Sequence, residues 1–179
     1  TGKYKDFHAR LQLNPFAKTS GPARDFFVTA FFSTGTYDGV EEGPDKRQRF
    51  IFYSGIKRTD RFLIAGQYLR AKDPAAKLKA RYTSLEARAG EAPSAEGSNI
   101  YGVLNLGALG GGEPAKRWEV IARWDHLDPD DAIADNNLDR VITGISYRWI
   151  KAIQSLLDYE IVSYDNNAGK KDEKRLLFQ

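Results

Sequence analysis

Apolar and polar residues alternate with a period of two through most of this chain. Residues 6–14 read DFHARLQLN, with an apolar residue at every odd position and a polar one at every even position. Strict alternation over four to eight residues is typical of a β-strand that has two different faces. Comparable runs begin at Phe26, Arg49, Phe62, Asn99, Arg117, Arg140 and Ile153, and a last run covers residues 174–179. The pattern therefore predicts an all-β chain of about nine strands.

The predicted connections alternate in length. Long ones cover residues 34–46, 72–97, 128–139 and 165–173, whereas those near 57–61 and 150–152 are short and those at 14–23 and 107–116 are intermediate. A meander that crosses a membrane collects tight turns on the periplasmic side and long loops outside. The alternation favours a transmembrane antiparallel up-and-down β-barrel that occupies residues 1–179 as one domain. We expect residues 73–97 to hold a short helix or to fold inward and narrow a pore.

Aromatic residues lie at both ends of the apolar faces. With about 3.3 Å per residue and a tilt near 40°, pairs such as Trp118 and Trp124 span roughly 15 to 20 Å, which approaches the apolar band of a membrane barrel and its two aromatic girdles. The predicted lipid-facing aromatic residues are Phe26, Phe32, Phe62, Tyr68, Trp118, Trp124, Tyr147, Trp149 and Tyr159. The alternative is a soluble lipocalin-like barrel with these rings in its core, but so many large side chains would overfill a narrow interior.

The opposite faces carry charge. The predicted pore-lining residues are Arg10, Arg49, Lys57, Arg61, Glu119, Arg123, Asp125, Arg140, Arg148, Asp158 and Glu160. Because basic residues outnumber acidic ones in this set, a mild preference for anions is one hypothesis. The other is that the charges pair into ladders that only keep the wall hydrated.

Composition neither supports nor opposes this interpretation. Mean hydropathy is −0.53 and no run of apolar residues is long enough for a membrane helix, but strands with one wet face never form such a run. The net charge of +3 is spread along the chain, so no nucleic-acid partner is predicted. Cysteine is absent, which excludes disulfides and thiolate metal sites.

The strand count has a consequence for topology. If the short turns are periplasmic, the first strand descends and its N-terminus lies outside the cell, whereas complete bacterial barrels have an even number of strands. We therefore expect this chain to be the C-terminal portion of a larger barrel.

The run WEVIARWDHLDPDDAIADNNLDRVITGISYRW, followed by LLDYEIVSYD, resembles the last hairpins of the phosphate-selective porin superfamily of Gram-negative outer membranes. The resemblance covers residues 97–179. It implies a barrel of about 16 to 18 strands, commonly trimeric, that sits among outer-membrane lipid and lipopolysaccharide and passes small hydrophilic solutes or anions. The family's anion-binding ladder cannot be mapped onto this chain, so a general porin is the expected function.

Other chemistry has weaker support. The loop DHLDPDDAIADNNLD could hold a calcium ion, but its spacing is wrong for an EF-hand and a solvated loop is the preferred interpretation. His8 and His126 are the two histidines, and parity directs His126 to the same face as Trp124, away from a catalytic arrangement. We predict no catalytic residue, metal or cofactor. The alternatives to a porin are a soluble ligand-binding barrel and a small membrane barrel that acts as an anchor or adhesin.

Overall fold

Nine antiparallel strands form a single sheet in the computed structural model, which describes residues 6–35, 47–59, 61–72, 94–131, 133–165 and 171–179. The strands are β1 (Phe7–Leu13), β2 (Phe26–Gly35), β3 (Arg47–Arg58), β4 (Phe62–Lys72), β5 (Ser94–Asn105), β6 (Trp118–Asp128), β7 (Leu138–Ile150), β8 (Ile153–Tyr164) and β9 (Glu173–Phe178). Their order in the sheet is their order in the chain, so every neighbouring pair is a hairpin. The predicted all-β meander is confirmed.

Most strands extend further than their alternation indicated, and two predictions at their ends are wrong. Residues 94–97, predicted as loop, are the start of β5, while the rest of that predicted loop, residues 73–93, lies outside the described residues. The predicted connection at 107–116 leaves Leu106 in the fifth strand, on the apolar face by its parity with Ile100 and Leu104, but Leu106 belongs instead to the short 3-10 helix Leu106–Leu109. That helix begins because the side chain of Asn105 accepts a hydrogen bond from the backbone N–H of Gly107 at 2.9 Å.

The four connections at one end of the sheet have the predicted short and intermediate lengths. The links after β3 and β7 are tight turns, as expected. The links after β1 and β5 are of intermediate length, as expected, and they contain the 3-10 helices Pro22–Asp25, Leu106–Leu109 and Ala115–Arg117. We call the end of the sheet that carries these four links the turn end, and the opposite end the loop end.

The strands are tilted relative to the turn end. One row of directly paired residues starts at Leu13, the last residue of β1, and reaches Ile161, which lies eight residues beyond the start of β8 at Ile153. The row crosses seven strand pairs, so it drifts by about one residue per strand. With about 3.3 Å per residue and about 4.8 Å between strands, that drift corresponds to a tilt of roughly 35 to 40°.

The sheet has two different faces. The apolar face carries the alternate positions that include Phe32, Trp124 and Ile145, and the polar face carries those that include Arg123 and Glu160. Among the described residues, the only buried hydrophobic side chains are Ala65 and Val162. The described part of the chain therefore has no ordinary hydrophobic core on either side of the sheet.

Candidate functional site

Large apolar side chains are exposed while carboxylates are buried. Trp118, Trp124 and Phe32 are 38, 41 and 39% exposed, whereas Asp125 and Glu160 are 9 and 7% exposed. Soluble proteins show the reverse distribution, because ionised groups are seldom fully buried and extended apolar surfaces attract partners. The distribution identifies the polar face and its charges as the candidate site.

Ten of the eleven residues predicted to line a pore lie in strands at positions of the polar face. The exception is Arg61, which the structure places in the turn between β3 and β4. Arg61 lines a cavity of about 490 Å³ at the turn end, together with Lys116, Arg148 and Asn105.

The charges on β6 to β9 form a connected network of ion pairs. Asp125 accepts from Arg123 at 2.7 Å and from Arg140 at 2.8 Å, and Arg140 continues to Glu160 at 3.5 Å. Arg175 of β9 then approaches Glu160 at 3.9 Å. Because each strand contributes to the network, it links the strands side by side as well as keeping this surface polar.

A second polar group lies closer to the turn end. Arg148 donates to Glu119 at 2.8 Å, and the amide of Gln154 donates to the same carboxylate at 3.1 Å and to the buried Ser146 hydroxyl at 2.7 Å. Asp158, which is 6% exposed, is less well satisfied. Gln179 approaches one of its carboxylate oxygens at 3.5 Å, and the other is buried without a hydrogen-bond partner.

Three of the predicted basic residues outside this network, Arg10, Lys57 and Arg61, form no ion pair within the described part of the chain. Arg10 donates to the side chain of Gln12 at 3.0 Å, and the ammonium of Lys57 and the guanidinium of Arg61 make no ion pair there. The polar face thus combines paired charges on β6 to β9 with isolated positive charges on β1 and β3 and at the turn end. The pairing that one hypothesis predicts is present on β6 to β9, and the preference for anions stays a prediction.

An aromatic cluster occupies the polar face of β2, β3 and β5, and it was not predicted. The rings of Phe27 and Tyr53 lie 5.0 Å apart, and the hydroxyls of Tyr53 and Tyr101 share a hydrogen bond of 2.6 Å. The signal in the sequence was the doublet Phe26–Phe27, since consecutive aromatic residues in a strand must point to opposite faces.

Small residues beneath this cluster allow the contact between the two tyrosines. Tyr53 and Tyr101 are separated by β4, where the buried Ala65 lies opposite both Gly55 and Tyr101. A Cβ added at Gly55 would lie 2.5 Å from the carbonyl oxygen of Ile64 and 2.6 Å from the Cβ of Ala65. A larger residue at Gly55 would therefore force β3 and β4 apart at this point.

A cavity of about 460 Å³ lies against the polar face, toward the loop end from the tyrosine pair. Gln67, Asn99, Arg123 and Asp125 contribute to its lining. The side-chain oxygen of Asn99 is buried and accepts no hydrogen bond. Leaving such an acceptor without a donor costs about 1 to 3 kcal/mol.

The predicted lipid-facing aromatic residues all lie on the apolar face. The rings of Trp118 and Tyr147 are 4.6 Å apart, those of Tyr147 and Trp149 are also 4.6 Å apart, and the Trp149 indole donates to the Ser155 hydroxyl at 3.1 Å. This group lies at the turn end of β6 to β8. Phe26, Phe32, Phe62, Tyr68, Trp124 and Tyr159 occupy the same face elsewhere.

His126 lies on the apolar face, as its parity predicts. Its ring stacks against Trp124 with the centroids 6.0 Å apart, and its Nδ1 lies 3.1 Å from Asp139. In the neighbouring acidic loop, the carboxylate of Asp128 accepts from the backbone N–H of Asp130 at 3.0 Å. No group of three or more histidine and acidic side chains among the described residues is arranged to hold a metal ion.

No protein-family model matches this chain, and neither does any curated protein. The resemblance to the phosphate-selective porins therefore stays a prediction. Within the described ranges, no helix is both long enough and apolar enough to cross a bilayer.

Proposed function

We propose that this chain forms part of the wall of a porin, a water-filled outer-membrane channel for passive diffusion of small hydrophilic solutes. In this proposal the apolar face contacts lipid and lipopolysaccharide, and the polar face lines the channel. The observation that carries the proposal is the inverted burial: indole and phenyl rings are exposed, while Asp125, Asp158 and Glu160 are buried. A lipid environment removes the free-energy cost of exposing the aromatic rings to water. A polar lumen accommodates the carboxylates.

The geometry of the strands supports a membrane barrel. The tilt of roughly 35 to 40° derived from the strand register falls in the range of outer-membrane barrels, which is about 35 to 45°. Seven of the nine strands have 10 to 13 residues, enough to cross the apolar layer at that tilt. A soluble ligand-binding barrel does not account for the exposed rings.

The edges of the sheet determine how such a barrel would close. The described β1 and β9 do not pair with each other, and they run in the same direction because eight antiparallel steps separate them. Direct pairing between them would be parallel, so an antiparallel barrel needs an odd number of further strands between these edges. This requirement agrees with the expectation that the chain is one portion of a larger barrel, which the resemblance puts at about 16 to 18 strands in a homotrimer.

Conductance tests the function directly. We expect the purified full-length protein to produce stepwise, ohmic current increases in a planar bilayer, because a water-filled lumen conducts without gating chemistry. A protein that inserts into the bilayer without raising its conductance would point to the anchor or adhesin alternative. Release of the protein from membranes without detergent would contradict insertion itself.

Tryptophan fluorescence tests the assignment of the faces without any mutation. All three tryptophans lie on the apolar face, so lipids with brominated acyl chains should quench more than about half of the emission. Aqueous iodide should have little effect. The opposite result, strong quenching by iodide and none by brominated lipid, would reverse the faces and refute the proposal.

A further inference from the structure

The polar face is not uniform, and its aromatic part has no role in a wall that is merely hydrated. Phe27, Tyr53 and Tyr101 are half-buried and form a row across β2 to β5. The two tyrosine rings are nearly parallel, with an interplanar angle of 8° and centroids 6.5 Å apart. We call this pair of nearly parallel, half-buried rings the tyrosine platform.

The tyrosine hydroxyls retain hydrogen-bonding capacity. Tyr53 and Tyr101 are joined by one hydrogen bond of 2.6 Å, in which one hydroxyl donates to the other. A hydroxyl has one donor proton and two acceptor positions, so the pair still has one donor and further acceptor positions to offer. A solute that lies on the platform could therefore use both its apolar and its polar groups.

Amide and guanidinium groups border the platform on the side of the 460 Å³ cavity. Gln67 lies directly opposite Tyr53 in the neighbouring strand, and Arg123 lies directly opposite Tyr101. Asn99 is two residues before Tyr101 on the same face, and its buried oxygen lacks a donor. Gln67, Asn99 and Arg123 line this cavity, which adjoins the platform and is not lined by the two tyrosines, and its volume lies within the range of small-molecule sites, about 300 to 1,000 Å³.

Charge at this place is largely compensated. Arg123 and Arg140 both donate to Asp125, and Arg140 and Arg175 both lie beside Glu160, so three guanidinium groups face two carboxylates. A site for a strongly anionic solute would keep its cations unpaired. The site combines aromatic rings with planar polar groups at their border and little net charge. These features are complementary to a neutral ring that has C–H groups on its face and hydroxyls on its rim.

We propose that the tyrosine platform, with Gln67, Asn99 and Arg123 at its border, is a binding site for neutral sugars of pyranose type on the channel wall. The sugar ring lies with its C–H face against Tyr53 and Tyr101. Its hydroxyls form hydrogen bonds with the amide of Gln67 and the guanidinium of Arg123. This inference rests on the proposed porin function, because it needs the polar face to be accessible to solutes.

The test compares a neutral linear trisaccharide of glucose with a polyethylene glycol of equal hydrodynamic size, each added to the full-length protein in a planar bilayer. We expect the trisaccharide to block the current with a saturable dependence on concentration, whereas the glycol, which has no rings, should only lower it in proportion to its concentration. The double variant Tyr53→Ala with Tyr101→Ala should raise the half-blocking concentration by about tenfold. Tyr53→Phe, which keeps the ring, should change it much less.

Two controls separate binding from folding. Tyr159→Ala removes a tyrosine from the apolar face and should leave the half-blocking concentration unchanged. The sugar-free conductance of each variant reports whether its channel is intact. Equal, non-saturating effects of trisaccharide and glycol, or an unchanged half-blocking concentration in the double variant, would overturn the sugar site while leaving the porin function standing.

A second measurement does not depend on conductance. Calorimetric titration of the detergent-solubilised protein with the same trisaccharide should give saturable binding that is lost in the double variant. Absence of binding overturns the sugar site, whereas binding without conductance refutes the porin function and keeps the site. Stronger binding of a carboxylate such as glucuronate than of glucose would also overturn the assignment to neutral sugars.

Discussion

Substitution of Ile145 by arginine probes what the apolar face contacts. Ile145 is 39% exposed on β7 and is paired on either side with Val120 of β6 and Leu157 of β8. It lies in the interior of the strand, away from both ends of the sheet. In the proposed orientation its side chain contacts the hydrocarbon of the bilayer.

Contact with lipid and contact with water predict very different changes in the free energy of unfolding for Ile145→Arg. An arginine on the lipid face of a barrel near the midplane costs about 2 to 4 kcal/mol, which is roughly a 30- to 1,000-fold shift in the folding equilibrium. If the apolar face contacted water, replacement of a side chain this exposed would change the free energy of unfolding by about 0.5 kcal/mol or less. Ile145→Arg therefore separates the two cases by well over 1 kcal/mol.

The assay is reversible urea unfolding of the full-length protein in vesicles of fixed composition, followed by tryptophan emission. Ser163→Arg is the matched control, because Ser163 lies on the same face at the loop end of β8, opposite Asp139. Arginine near the interface should cost only about 0 to 1 kcal/mol. Equal effects at the two positions would refute the lipid contact, since the cost of an arginine on a lipid face depends on its depth in the bilayer.

Two further changes test the polar face and the sheet beneath it. Asp125→Asn leaves Arg123 and Arg140 without their shared carboxylate partner. The zero-current potential across a salt gradient should therefore shift toward anion preference, by about twofold in permeability ratio. An unchanged potential would mean that this network does not face the ion path. Gly55→Val forces a side chain against Ala65. In urea titrations the free energy of unfolding should fall by about 1 to 3 kcal/mol. A loss below about 0.5 kcal/mol would contradict the close approach of β3 and β4.

The sequence by itself determined the strands and their faces. Period-two alternation is a local property, because successive side chains of a strand point to opposite sides whatever the strand pairs with. The positions of Trp124 and Arg123 on opposite faces follow from parity alone, as does the position of His126 on the same face as Trp124. Strand ends were less well predicted, since β5 starts among residues that resemble loop and Leu106 is drawn into a capped 3-10 turn.

Only the tertiary structure decided which residues meet across the sheet. Asp125 pairs with Arg140 and Tyr53 bonds to Tyr101 because of the register between strands, which depends on contacts far apart in the chain. The tilt of the strands also follows from that register. A repeat of two residues specifies that a strand has two faces, but burial, which sets the environment of each face, is a property of the assembled sheet.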